Sequence, residues 1–313
     1  DVYKRQAFKS FVNEYGRRLR EALPAASGED AVDVQVGLSR LARDDVFLNL
    51  TQDWRRNPLG VPATVVNTLF IMMVREYAPA ADRLEAAWAR LEKVDDYCRK
   101  GLACLDRPVA RFADLAVDYC EQGALFLSQV IPVYTDKHAP KLAPRIREAG
   151  TKAAAALADY AAAVKTLPKR DDFAAGREAF DRLLKEHYLL DYDADSLLAF
   201  GREELEKTEA EMAALADKIR PGAVPLELIE EFKKDHPPAA EVLSFYEYWM
   251  ERSRQFVVEN NICTLPEGEE LEIIPTPEFE RATIPYAAYM PPAPFEGKQK
   301  GCLLYTSPSP RDS

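Results

Sequence analysis

Apolar residues recur every three or four positions over most of this chain, and past Cys263 prolines arrive too densely for any helix to continue. Between residues 79 and 105 the stripe reads Leu84, Trp88, Leu91, Val94, Cys98, Leu102 and Leu105, which predicts one long helix with Pro79 in its first turn. Arg107-Pro108 marks a break before a second pattern of Phe112, Leu115, Tyr119, Leu125 and Leu127. The Ala-rich stretch 151–164 has high helix propensity and side chains small enough for close packing. A further stripe of Leu198, Leu205, Met212, Leu215 and Ile219 stops at Pro221-Gly222, with Asp193 or Asp195 as its N-cap. The last helix is expected over 242–258. The most apolar run, 61–74, holds Asn67 and stops at Arg75, so it reads as a buried helix and not as a membrane span of about 18–20 residues.

After Cys263 the pattern changes. Leu271-Glu272-Ile273-Ile274 has the β-branched character of a strand that Pro275 and Pro277 stop, and 283–289 predicts a second one. Proline limits these to sheet edges. The expected fold class is mainly α: a large multi-helix body over 7–262, then the beginning of a small α+β region over 263–301.

The two ends carry a separate signal. Back-translated, Cys302-Leu303-Leu304-Tyr305-Thr306-Ser307 is the reverse complement of DNA encoding Asp1-Val2-Tyr3-Lys4-Arg5-Gln6. Unrelated termini have no reason to match in this way, and the relation points to a sequencing adapter read through as coding DNA. Residues 1–6 and 302–313 are therefore expected to be adapter-derived tails that pack on nothing specific, flanking a truncated native fragment.

A net charge of −11 argues against nucleic acid as a partner, because phosphate neutralisation needs clustered Lys and Arg. Cys98, Cys104, Cys120 and Cys263 show no CxxC spacing, so neither a zinc ribbon nor a redox pair is indicated. Reduced thiols favour a cytoplasmic location. His138, His187 and His236 are never followed by Glu, so the HExxH zinc motif is absent. Asp191, Asp193 and Asp195 begin like a calcium loop, but Ser196 stands where the turn wants Gly and Arg202 where a bidentate Glu is required. The pairs Asp44-Asp45, Asp95-Asp96 and Asp171-Asp172 lack a third carboxylate one turn on, where Leu48, Arg99 and Ala175 stand, and read as helix-surface charge. Neither a phosphate loop nor a nucleophile elbow occurs. Read alone, these residues assemble no active site.

One block is more specific. Pro275-Thr276-Pro277-Glu278-Phe279, followed by Pro285-Tyr286-Ala287-Ala288-Tyr289 and Pro291-Pro292-Ala293-Pro294-Phe295, resembles the bacterial family catalogued as domain of unknown function 885. Upstream, Arg75-Glu76-Tyr77-Ala78-Pro79, Arg83-Leu84, Arg90-Leu91, Gly176-Arg177-Glu178, Leu183-Leu184 and Glu186-His187 resemble that family's helical half. The resemblance implies a zinc-dependent peptidase of the thermolysin-like kind, whose His-Glu-x-x-Pro-Gly-His-His helix follows the block ending at Phe295. No zinc ligand and no catalytic Glu carries over to this sequence. The expectation is therefore an inactive N-terminal fragment whose intact parent holds zinc and takes peptide substrates. Tyr286, Tyr289, Met290 and Pro291 are the residues expected beside the cleft, with 284–289 as a strand that borders it. The alternative is a non-enzymatic helical scaffold that binds a peptide or partner protein between helices. Paired histidines in a longer reading frame would separate the two.

Overall fold

A computed structural model of the chain describes residues 2–281, 283–292 and 299–306. Its helices are α1 (Val2–Ala22), α2 (Gly28–Asp45), α3 (Asp53–Arg56), α4 (Gly60–Val74), α5 (Ala80–Leu91), α6 (Val94–Leu102), α7 (Ala110–Leu125), α8 (Ile131–His138), α9 (Ala143–Thr166), α10 (Arg177–Arg182), α11 (Ala194–Ile219), α12 (Pro225–Phe232) and α13 (Val242–Glu259). Three strands follow: β1 (Glu270–Pro275), β2 (Ala287–Met290) and β3 (Lys300–Tyr305). The fold is mainly α with a small sheet near the C-terminus, as the periodicity and the prolines predict. Contacts divide the chain into two units. The first comprises Asp1–Val65, Lys93–Cys120 and Ala155–Glu211, and the second Val66–Glu92, Glu121–Ala154 and Met212–Ser313.

In the first unit, Ala156 and Ala161 on α9 are small enough for close packing, and they are buried together with Leu157 and Val164. Tyr160 beside them donates its hydroxyl to the Pro58 carbonyl at 2.9 Å, which satisfies the one polar atom it buries. A π-type turn, Leu183–His187, follows α10 and is held against α2. There the Ser39 hydroxyl donates to the His187 carbonyl at 2.8 Å, and Arg182 bridges Asp45 and Glu186 at 3.0 Å each. Asp193 is the cap of α11. Its carboxylate accepts from the Ser196 N–H at 2.8 Å while the Ser196 hydroxyl accepts from the Asp193 N–H at 2.9 Å, a reciprocal pair that satisfies two helix-end donors. Arg177 sits between Asp181 and Asp195 at 2.8 and 2.9 Å, so a guanidinium supplies the positive charge that this acidic cluster attracts.

In the second unit, the apolar run of α4 is buried as predicted, with Val66 and Leu69 almost sealed from solvent. The carbonyls at its C-terminal end would be orphans without a partner. Arg83 supplies one. Its guanidinium, itself buried, donates to the carbonyls of Met72 at 2.6 Å, Met73 at 2.9 Å and Ala78 at 2.9 Å. The Tyr134 hydroxyl adds a bond to Met73 at 3.1 Å. The negative end of the helix dipole lies where this cation sits. On α9, Gly150 packs directly against the Leu127 backbone carbonyl, leaving no room for a Cβ. Leu127 lies in a second π-type turn, Phe126–Val130, which precedes Pro132 and its missing helix donor.

One expected helix is two. The 79–105 stripe breaks at Glu92-Lys93, where Lys93 (φ −104°, ψ −2°) leaves helical geometry. Leu91 and Val94 are buried on either side, so the apolar spacing runs through the break unaltered and cannot reveal it. Pro79 stands just outside α5 as its N-cap.

The sheet has the order β1-β3-β2, with β1 parallel and β2 antiparallel to β3. Here the structure corrects the reading of the chain's last residues. Cys302, Leu304, Tyr305 and Thr306 are buried, and the strand that holds the first three pairs on both sides. A central strand has partners on both edges and so buries its backbone, whatever the origin of its sequence. The strand expected over 283–289 is present only as Ala287–Met290. Pro285 has no N–H to offer a ladder, and Thr306 instead donates its backbone N–H to Tyr286 at 2.8 Å and its hydroxyl to Ile284 at 2.5 Å.

Tyr289 opposes Leu303, which makes Gly301 its diagonal neighbour across the ladder. The tyrosine ring lies over that glycine: a Cβ there would stand 2.7 Å from the phenol oxygen and from Cε2. An aromatic side chain thus covers backbone that Gly301 leaves bare. Tyr289→Ala is expected to cost about 1 kcal/mol, with Tyr289→Phe keeping most of it. Urea titration of both variants checks this, and an alanine variant as stable as the parent would refute it.

Candidate functional site

The site is built where α13 meets β1. Glu247, Met250, Glu251, Arg254 and Val257 share one face of α13 because they recur at steps of three and four. Opposite them stand Leu265, Glu269, Glu270, Leu271, Glu272 and Ile273, with Lys300 from β3 closing one end. These walls enclose a groove of about 740 Å³. Tyr246 of α13 packs against Tyr305 of β3 with ring centres 4.4 Å apart and planes tilted at 41°, a contact that joins the helix to the sheet.

The outer edge of β1 is exposed to this groove. Glu270 donates its N–H to Gln299 at 3.1 Å and Thr276 to Tyr305 at 2.7 Å, so the even-numbered residues bond towards β3. In a parallel ladder the alternate residues must then turn their N–H and C=O the other way. Those residues are Leu271 and Ile273, both in the groove wall. Among the described residues no strand pairs with β1 on that side.

Five carboxylates and two cations line the groove. Arg254 pairs with Glu269 and Lys300 with Glu272, each at 2.7 Å. The bond from Glu272 holds the Lys300 ammonium above its ordinary pKa. Glu247, Glu251 and Glu270 form no salt bridge among the described residues. The groove is therefore apolar at its base and negative at its rim.

None of the expected cleft residues, Tyr286, Tyr289, Met290 and Pro291, lines this groove. Tyr286 and Tyr289 are 47% and 58% exposed, but Tyr289, Met290 and Pro291 lie at β2, across β3 from β1. The Pro291 carbonyl accepts from Arg75, which also donates to the Lys300 carbonyl at 3.4 Å. Two separated blocks of the sequence, 75–79 and 285–291, are thereby tied together. Ala293, Pro294 and Phe295 lie outside the described residues.

Sequence reasoning missed Glu280. It follows Phe279 in a short turn after Pro277, and that phenylalanine is buried against Phe70 and Phe126. The insertion drags Glu280 to a half-buried position where its Oε2 has no hydrogen-bond partner among the described residues. Burial pushes its carboxyl above the usual value of 4.5, and no neighbouring charge offsets this. Because the folded state holds this proton more tightly than the unfolded chain does, the stability tied to it is fully present below pH 4.5. It is lost as pH rises through the folded value. Glu280→Gln is expected to gain about 1 kcal/mol near neutral pH and little below pH 4.5. Urea titrations at the two pH values test it, and an equal gain at both would show that ionisation is not the cause.

Several thiols and imidazoles are otherwise engaged, while Cys263 is exposed and free. Burial pushes the Cys98 thiol up to about 12, with Asp95 adding to the effect, which makes it inert as a nucleophile. His138 stacks on Tyr134, and His187 is held by Ser39. Among the described residues no three His, Cys, Asp or Glu side chains converge as a metal site. The residues described here do not fit a zinc ion.

Helices followed by a small mixed sheet, with a groove between α13 and β1, define a mainly α protein with a small C-terminal sheet. The chain belongs to the family described as bacterial protein of unknown function (DUF885), whose pattern matches residues 3–312. Among solved structures it is similar to one described as "a putative lipoprotein of unknown function" from Shewanella oneidensis, with a TM-score of 0.70 and 17% identity. The match covers 99% of this chain and 59% of that one. At such identity the likeness shows the fold alone. A comparison with curated proteins finds no match.

Proposed function

We propose that this chain binds an extended peptide as an added strand on the outer edge of β1, as the substrate-holding part of a peptide hydrolase. The observation that carries the reading is the outward main chain of Leu271 and Ile273 beside the α13 groove. An unpaired edge offers main-chain hydrogen bonds to any sequence, and the adjoining apolar wall accepts alternate side chains. The hydrolase half of the reading is supported by the resemblance of the Pro285-Tyr286-Ala287-Ala288-Tyr289 block to a peptidase-like family. No step of hydrolysis is assigned to the residues described here, since they do not fit the metal that the resemblance implies.

A fluorescein-labelled peptide of about eight residues, long enough to run the length of β1, tests the binding mode against a twin carrying alternate backbone N-methyl groups. The plain peptide should bind and its twin should lose most of its affinity, because methylation removes only the pairing donors. Equal affinity for both would overturn strand addition. Hydrolysis is tested by mass spectrometry of the same peptide incubated with a longer, zinc-loaded member of the family. An uncut peptide would count against that half.

A further inference from the structure

We infer that the groove between α13 and β1 selects peptides carrying Lys or Arg, a substrate class that rests on the strand-addition reading of the same groove. Of the five carboxylates that line it, Glu269 and Glu272 are neutralised by Arg254 and Lys300. Glu247 and Glu251 are left one turn apart on the exposed face of α13, and Glu270 stands on the facing strand. Negative charge therefore flanks the peptide path from both walls.

The geometry suits alternation. A bound strand sends successive side chains to opposite sides, so one set meets Met250, Val257 and Leu265 while the other reaches the rim. A long side chain with a terminal cation can lie along the apolar wall and set its charge beside Glu247 or Glu251. An acidic side chain in the same place would meet like charge from helix and strand together, and such juxtaposition discriminates against wrong partners more strongly than the matching pair attracts the right one.

The test uses three labelled peptides of one length and one apolar set, with Lys, Gln or Glu at the alternate positions. The Lys peptide should bind on the order of tenfold more tightly than the Gln peptide, and the Glu peptide most weakly, at low ionic strength. The Lys advantage should shrink with added salt, because the rim is exposed. In the Glu247→Gln/Glu251→Gln variant the ratio of Lys-peptide to Gln-peptide affinity should fall towards one, and an unchanged ratio would overturn the charge preference. Lys and Gln peptides binding alike, both sensitive to N-methylation, would overturn the charge preference and leave strand addition standing. Failure of all three to bind would overturn both. Tightest binding of the Glu peptide would overturn the preference outright.

Discussion

Replacing Phe279 with alanine should lower the free energy of unfolding by about 3–5 kcal/mol, the range for a large buried aromatic residue cut back to a methyl group. Phe279 is 3% exposed, and its ring lies 5.6 Å from that of Phe70 and 5.0 Å from that of Phe126. Phe70 and Phe126 are themselves 6.4 Å apart, so the three rings form one cluster and its loss cannot be repaired by a single neighbour. The phenylalanine enters from a turn framed by prolines, which leaves the backbone little freedom to collapse into the void. Phe279→Leu should lose much less, since it refills most of the volume. A urea titration reads both variants. A loss under about 1 kcal/mol for alanine would mean that the cluster is not a closed piece of core.

Arg83→Met should be the second large loss, at about 3 kcal/mol. The substitution keeps the aliphatic stem but removes the guanidinium donor from three backbone carbonyls, those of Met72, Met73 and Ala78, of which Met73 retains the Tyr134 hydroxyl. Two of these close the end of α4, where no residue further along the helix can serve them. Arg83→Lys is the sharper test. An ammonium keeps the charge, but it is a point donor and cannot span three acceptors as a planar fork does. Lysine should therefore recover less than half of the loss. Full recovery would show that charge at the helix end, and not the shape of the donor set, is what α4 requires.

Much of the fold was legible because it follows from periodicity. The apolar run that became α4, the stripe of α13 and the strand at 271–274 each announce themselves by spacing and by the residues that stop them. What escaped has physical reasons. The Glu92-Lys93 break preserves the phase of the stripe. The central strand β3 draws its burial from pairing with β1 and β2, which no property of residues 300–305 taken alone expresses. The groove joins walls from 247–257 and 265–273 that read separately as an ordinary amphipathic helix and an ordinary edge strand. Glu280 resembles any other acidic residue until Phe279 beside it is seen to be core. Arg83 was noted only as part of a resemblance, since nothing local says that an arginine will close a helix nine residues upstream.

The place of β3 in the sheet sets the order in which this region can be made. Among the described residues β1 and β2 touch each other nowhere in the ladder, and both pair with β3, which follows them in the sequence. During synthesis, then, this sheet cannot form until residues 300–305 have left the ribosome. Until that moment the nascent chain carries two bare strand edges beside an α13 that exposes Phe245, Tyr248, Trp249 and Phe256. Closing this sheet therefore waits on β3, and the interval before it is when a stalled or nicked chain would most readily stick to its neighbours.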